Sequence, residues 1–179
     1  MSIKLGIYTG GRKMNNKIYF EKFLTEDDFQ YFLRLALNED VMIMNYGRVF
    51  TPEEAKKVYK GLLEKNKIHE DFGQFKVFEA TTNNYIGLGG LIISGDFTKA
   101  ESEYLLLPEY WRKGYGSEIA EVLLKKAEEL KSIKKVTATI DPNNIGSRKI
   151  LLKNGFVSYK TYTIDDGSLA EDFSKEIVF

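Results

Sequence analysis

The chain has 179 residues, 43% hydrophobic and 29% charged, with 26 Lys plus Arg against 26 Asp plus Glu. That length supports one domain with a substantial core, and zero formal charge argues against coating nucleic acid or acidic membranes, so no nucleic acid and no membrane partner is expected. With no Cys and only one histidine, His69, disulfides, thiolate metal sites, Cys nucleophiles and two-histidine metal sites are excluded, and no metal is expected.

Residues 1–16 carry Lys4, Arg12 and Lys13 and lack an apolar signal core. They read as an N-terminal arm or an extended edge, in which Ile3, Leu5 and Ile7 alternate until Thr9-Gly10-Gly11 breaks the pattern. No run reaches the roughly 18–20 apolar residues of a membrane span, and a cytoplasmic protein is the default expectation. A single domain is expected over 17–179. Ile18 to Phe23 reads as a strand, with Ile18, Phe20 and Lys22 on one face. Thr25, with Asp28 three residues on, starts a helix whose stripe is Phe29, Phe32, Leu33, Leu35, Ala36 and Leu37. Met42 to Tyr46 reads as an apolar, Met-bearing loop between the first two helices, either walling a pocket or packing on a sheet. Thr51-Pro52-Glu53-Glu54 starts a second helix, running to about Lys65.

Phe75 to Ala80 and Tyr85 to Ile93 read as a hairpin joined by Thr81-Thr82-Asn83-Asn84, and Ser102 to Leu107 as a third strand stopped by Pro108. Gly114 to Leu130 is a helix with Ile119, Leu123, Ala127 and Leu130 inward. Lys135 to Ile140 alternates as a strand, Asn144 to Asn154 forms a short helix, and Phe156 to Ile164 and Phe173 to Phe179 are closing strands. The order implies an α/β or α+β domain with a mixed sheet and no internal repeat.

The chemistry concentrates where the third strand passes into a helix. Arg112-Lys113-Gly114-Tyr115-Gly116-Ser117 suits an anion: the glycines let the backbone approach an oxyanion, a helix start presents unpaired N–H groups, and Arg112 and Lys113 add positive charge. The dinucleotide fingerprint would need a third glycine where Ile119 stands, and the Gly-Lys-Ser/Thr of a nucleotide-binding P-loop is absent. Taken alone, the segment reads equally as a tight strand–helix turn. A second segment, Asn144-Ile145-Gly146-Ser147 leading to Gly155-Phe156, follows the next strand.

Together these two segments resemble the GNAT superfamily of acetyl-CoA-dependent N-acetyltransferases. The first resembles the family's pyrophosphate loop, the second its Asn-x-x-Ser/Ala helix ending in Gly-Phe, and the likeness covers about residues 18–179. Within the family, Pro108 to Tyr115 is similar to the branch of ribosomal-protein N-terminal acetyltransferases, with Trp111 at the usual Gln or Arg position and Glu103 where that branch has Gly. The resemblance implies a GNAT fold, a mixed splayed β-sheet with helices on both faces, and acetyl-CoA as co-substrate. It implies that Leu105, Leu106 and Leu107 pair their main chain with the pantetheine arm, that Arg112, Lys113, Gly114, Tyr115, Gly116 and Ser117 cradle the pyrophosphate, and that Asn144 binds the pantetheine region. The acceptor would be an amine, on a small molecule or a protein N-terminus, and the protein a monomer or homodimer.

Three residues are candidates for catalysis. Glu101 and Glu103 share a strand face and either draw a proton from the amine through water or serve as solvating and ion-pairing charges. Ser147 is a small residue for packing, or a proton source for the departing thiolate. Leu151 stands where many family members carry a proton-donating Tyr. The reaction expected is direct acetyl transfer to a primary amine in a ternary complex, with backbone donors near Leu106 polarising the thioester. Alternatives are O- or N-acylation from another acyl-CoA, and a non-catalytic CoA-binding or protein-interaction module, which the absent Tyr favours.

Overall fold

The computed structural model describes residues 4–5 and 17–179. In chain order the elements are β1 (Lys4–Leu5), β2 (Ile18–Lys22), a 3-10 turn (Glu26–Asp28), α1 (Phe29–Ala36), α2 (Glu39–Tyr46), α3 (Pro52–Asn66), β3 (Gly73–Glu79), β4 (Tyr85–Ile93) and β5 (Lys99–Leu106). A second 3-10 turn (Pro108–Tyr110) leads to α4 (Tyr115–Glu129), β6 (Lys135–Ile140), α5 (Ile145–Lys153), β7 (Val157–Thr163) and β8 (Leu169–Glu176). Lys4 and Leu5 pair with Glu21 and Phe20, so this part of the arm is an extended edge; Ile3, Ile7 and Thr9-Gly10-Gly11 lie outside the described residues.

Local chemistry sets the helix starts. The Thr51 hydroxyl accepts the Glu54 N–H at 3.2 Å while the Glu54 carboxylate accepts the Thr51 N–H at 2.8 Å, and Pro52 occupies the first turn of α3. The Asp28 carboxylate accepts N–H groups from Leu24 and Thr25 at 3.0 and 3.2 Å. The stretch Met42–Tyr46, expected as a loop, belongs to helix α2. Asn38 caps it by accepting the Val41 N–H at 3.1 Å, and Gly47 ends it at φ +72°. The helix buries Val41 and Met42 but exposes Ile43, Met44 and Tyr46, so no single apolar stripe announces it. Asn38-Glu39-Asp40, a cap followed by two acids, is the signal that does.

The strands form one eight-stranded sheet in the order β1-β2-β3-β4-β5-β6-β8-β7. Every pairing is antiparallel except β5 with β6. That parallel pairing spans only Lys99–Glu101 against Lys135–Thr137, after which the two strands splay apart. A bulge at Ile86 in β4 precedes the splay: Val77 faces Gly87, and Phe78 faces Tyr85. β8 begins at Leu169, four residues before its expected start. Ala170, Glu171 and Asp172 are poor strand formers, but Ala170 pairs with β7, Glu171 and Asp172 pair with both β6 and β7, and that tertiary pairing overrides propensity.

Each face of the sheet has its own core. Phe20, Phe75, Val77, Val136 and Phe173 pack under Ile119 and Leu123 of α4, while Phe23, Phe78 and Leu88 pack under Leu35 of α1 and Tyr59 and Leu62 of α3. Each such side chain contributes roughly 1.5–3 kcal/mol. The architecture is the expected mixed splayed sheet with helices on both faces. Buried Asn66 and Lys76 are paired: Asn66 donates to the Phe23 and Gln74 carbonyls and accepts from the Gln74 N–H, and Lys76 pairs with Asp28 at 2.5 Å and Glu21 at 3.6 Å.

Candidate functional site

Where β5 and β6 part, β5 has no partner strand on one side. The Leu107 N–H donates to the Ile86 carbonyl at 2.9 Å, so by antiparallel alternation the N–H and carbonyl of Leu106 turn away from β4 and into the gap. The Trp111 indole N–H takes up that carbonyl at 2.8 Å.

The loop after β5 prepares the start of α4. Arg112 sits at φ +58° and Gly114 at φ +86°. The first intrahelical bond is Glu118 N–H to Gly114 carbonyl at 3.2 Å, leaving the N–H groups of Tyr115, Gly116 and Ser117 ahead of it as anion donors. Gly116 serves packing too: a Cβ there would lie 3.2 Å from both Ile150 Cδ1 and Tyr104 Cε2. Across the gap, Asn144 caps α5 by accepting the Ser147 N–H at 3.1 Å, and the Ser147 hydroxyl lies 3.0 Å from the Tyr104 hydroxyl.

These elements enclose an open cavity of about 630 Å³. Leu105 and Leu106 line it from β5, Arg112, Gly114, Gly116 and Ser117 from the loop and α4, and Asn144 and Ser147 from α5. Leu107, Lys113 and Tyr115 do not line it. Leu107 is core on the opposite face of the sheet. Lys113 lies 5.7 Å over the Tyr110 ring. The Tyr115 side chain turns away to donate to Glu79, so only its backbone is available to an anion, and Glu79 thereby ties the loop to the β3–β4 hairpin. Leu151, where the family's Tyr was sought, is 5% exposed in the core.

Glu101 and Glu103 share a face of β5 with Leu105, opposite Tyr104 and close enough to Tyr46 of α2 to act on it, and do not line the cavity. Glu103 accepts a hydrogen bond from Gln74, and burial pushes its carboxyl above the usual range. A Cβ on Gly90 would lie 2.9 Å from Glu103 Cγ, so Gly90 makes room for this side chain. Burial, and then the negative charge of Glu103 and Glu101, push the Tyr46 phenol up. Met44 and Asn45 of α2 reach the cavity wall, so this helix borders both the cavity and the acidic face.

The sequence alone gives Tyr104 no role in the site and Trp111 only a place in the loop, whereas Met44 and Asn45 belong to the Met42–Tyr46 stretch expected to wall a pocket or pack on a sheet, and do line the cavity. For Tyr104 the signal was alternation: next to Glu103 on a strand, it faces the opposite way, toward the phosphate-binding turn. No cluster of His, Cys, Asp or Glu that could hold a metal occurs among the described residues, and no helix among them is long and apolar enough to cross a membrane.

A family model described as acetyltransferase (GNAT) domain matches residues 17–157, and the chain belongs to that family. Uncharacterized N-acetyltransferase YoaA of Bacillus subtilis (strain 168) is 29% identical over 76 residues, 42% of this chain and 43% of that protein, so the match spans less than half the length of this curated relative. The fold is similar to that of spermidine N-acetyltransferase from Vibrio cholerae, solved in complex with CoA and spermine, at TM-score 0.72 and 18% identity over 90% of this chain and 96% of that one. It is also similar to RimL, the ribosomal L7/L12 alpha-N-protein acetyltransferase, at TM-score 0.77 and 15% identity over 99% and 96% of the two chains. A polyamine enzyme and a protein N-terminal enzyme match this fold about equally well, so the likeness does not select the ribosomal-protein branch.

Proposed function

We propose that the protein transfers an acetyl group from acetyl-CoA to a primary amine by direct attack in a ternary complex. The observation that carries this reading is the open cavity running from the N–H groups of α4 along the unpaired edge of β5. Its two ends suit different parts of one molecule: an anion cradle for a pyrophosphate, and the Leu106 N–H, turned away from β4, for an amide-bearing arm. Arg112, Gly114, Gly116 and Ser117 would hold the pyrophosphate, and Leu105, Leu106 and Asn144 the pantetheine arm. When bound, acetyl-CoA supplies the acyl carbon, a C–N bond forming to the amine as the C–S bond breaks to give amide and thiol.

The protein's own groups manage the protons. A lysine-type amine with pKa near 10.4 loses about 4.6 kcal/mol on becoming neutral at pH 7, whereas an α-amine near 7.7–8.0 loses only about 1 kcal/mol. Glu103 and Glu101 attract the cationic amine and take its proton through water, and burial raises the Glu103 carboxyl in the direction that suits a base. The Leu106 N–H, turned into the gap, is placed to polarise a carbonyl. With no Cys in the chain, a cysteinyl acyl intermediate is excluded.

A second reading, a CoA-binding module without turnover, is favoured by the burial of Leu151. Incubating the protein with acetyl-CoA and a panel of peptides, polyamines, aminoglycosides and amino acids, and following thiol release, separates the two. Turnover with one class identifies the acceptor. Tight CoA binding with no turnover across the panel supports the module, and failure to bind CoA overturns both readings.

A further inference from the structure

We propose that Tyr104 and Ser147 form a hydroxyl relay to the departing sulfur, in which Ser147 gives the proton to sulfur and Tyr104, acting through Ser147, supplies it. The inference rests on the acetyl-transfer reading and adds the group that completes its proton balance.

The two hydroxyls meet at 3.0 Å across the opening between the splayed strands, one from β5 and the other from the first turn of α5, and both residues line the cavity. Two hydroxyls carry two protons. One is spent on the bond between them, and the other is left to be donated to a ligand. The pair is held from both sides. The Tyr104 ring packs where Gly116 has no side chain, and the Ser147 backbone N–H is fixed by Asn144. Burial raises the Tyr104 phenol against the opposing effect of its bond to Ser147, so the phenol keeps its proton through the neutral range.

Among the described residues, the other hydroxyl on the wall, that of Ser117, belongs to the start of α4, at the anion end. Asp141, also on the wall, accepts the Asn143 N–H at 2.8 Å. Leu151 offers no proton. That leaves the Tyr104–Ser147 pair as the donor along the β5 side.

Consecutive residues of a strand face opposite ways, so Glu103 works on one side of β5 and Tyr104 on the other. The amine approaches from the carboxylate side and gives its proton to Glu103 or Glu101 through water. As the C–N bond forms and the C–S bond breaks, the sulfur takes a proton from Ser147, Ser147 takes one from Tyr104, and solvent at the cavity mouth restores the phenol. From the ammonium two protons leave the nitrogen, one to the carboxylates before attack and one through the same water as the C–N bond forms; one reaches the sulfur and one is released to solvent, with no oxidant or metal required.

The test titrates the thiol of CoA bound to the intact protein, following thiolate absorbance, in the native protein and in Tyr104→Phe, Ser147→Ala and the double variant. A donor aimed at sulfur stabilises thiolate and lowers the bound thiol's pKa. Each single substitution should reduce the thiolate fraction at a given pH about tenfold, the worth of one charge-assisted hydrogen bond. The double variant should do little more than either single, because the two hydroxyls act as one unit. CoA affinity, read from the fluorescence of the single tryptophan, Trp111, on the cavity wall, should change less than about threefold. An unchanged thiol titration in Tyr104→Phe overturns the proposal, as does a loss of affinity with no change in titration. If the native protein binds CoA but acetylates no amine, the titration still decides this inference. If it binds no CoA, the acetyl-transfer reading fails and the inference falls with it.

Discussion

Gly114 and Gly87 are both required, for opposite reasons. Gly114 has φ +86° and nothing within 4 Å of where a Cβ would lie, so a side chain meets only the conformational penalty of roughly 1–2 kcal/mol. Its position at the anion cradle decides the outcome: Gly114→Glu should abolish CoA binding in a fluorescence titration while thermal unfolding stays cooperative, and unchanged affinity would show that the loop binds no phosphate. Gly87 has an ordinary conformation, but a Cβ there would lie 2.1 Å from the Leu105 carbonyl, a backbone atom held in the sheet. Gly87→Ala should therefore cost about 2–4 kcal/mol in chemical denaturation, and a loss below about 0.5 would mean that the strands separate easily. Gly114 stood out in the sequence because charge and a helix start surround it. Gly87, in Gly87-Leu88-Gly89-Gly90, was indistinguishable from its neighbours, because its constraint comes from a strand far along the chain.

Helix α5 supplies half of the proposed hydroxyl pair, yet Leu151 is the one residue it buries. Its orientation depends on a tether: Arg148 pairs with Glu171 of β8, which is 3% exposed and also accepts the Ser158 hydroxyl of β7 at 2.6 Å. Burial pushes the Glu171 carboxyl up, but its bonds to Ser158 and Arg148 outweigh that and hold it below the usual range. The sign follows: the tether's contribution is complete above the unfolded-state value, near 4.3, and is lost as pH falls through the lower folded-state value. Glu171→Gln would turn an amide N–H toward one of the two donors. It should lower stability by about 1–3 kcal/mol in urea and remove this part of the acid dependence. Equal stability would show that α5 is held by packing alone. Caps made α3 and α4 legible, since Thr51-Pro52 and the glycine pair are local signals. Helix α2 has only its cap, Asn38-Glu39-Asp40, and no apolar stripe, and the start of β8 is held by β7 and, from Glu171 on, by β6 as well.

For the whole molecule, the order of elements and two motifs at the right separation were enough to read the fold and many of the residues that line the cavity. What stayed hidden was the division of labour across the sheet. Alternation put Glu101 and Glu103 on one face, but only the packed structure shows that this is the face toward Tyr46 of α2, with Tyr104 turned to the other and the cavity reaching both through Leu105 and Tyr104. The placement of Leu107 and Tyr115 was likewise a tertiary matter, because each lies inside a motif but turns its side chain into the protein.

The short parallel junction between β5 and β6 also makes the sheet a hinged book. Its leaves are β1–β5 and the β6-β8-β7 group, with a spine three residue pairs long. A molecule lying in the open spine stitches the leaves together, so the domain should become more cooperative when its cavity is filled. Without ligand, amides of β7 and β8 should exchange with solvent through openings that leave β2–β4 protected, and CoA should slow that exchange toward the rate of the larger leaf. If the two groups exchange at one common rate with and without CoA, the spine already carries the full load on its own.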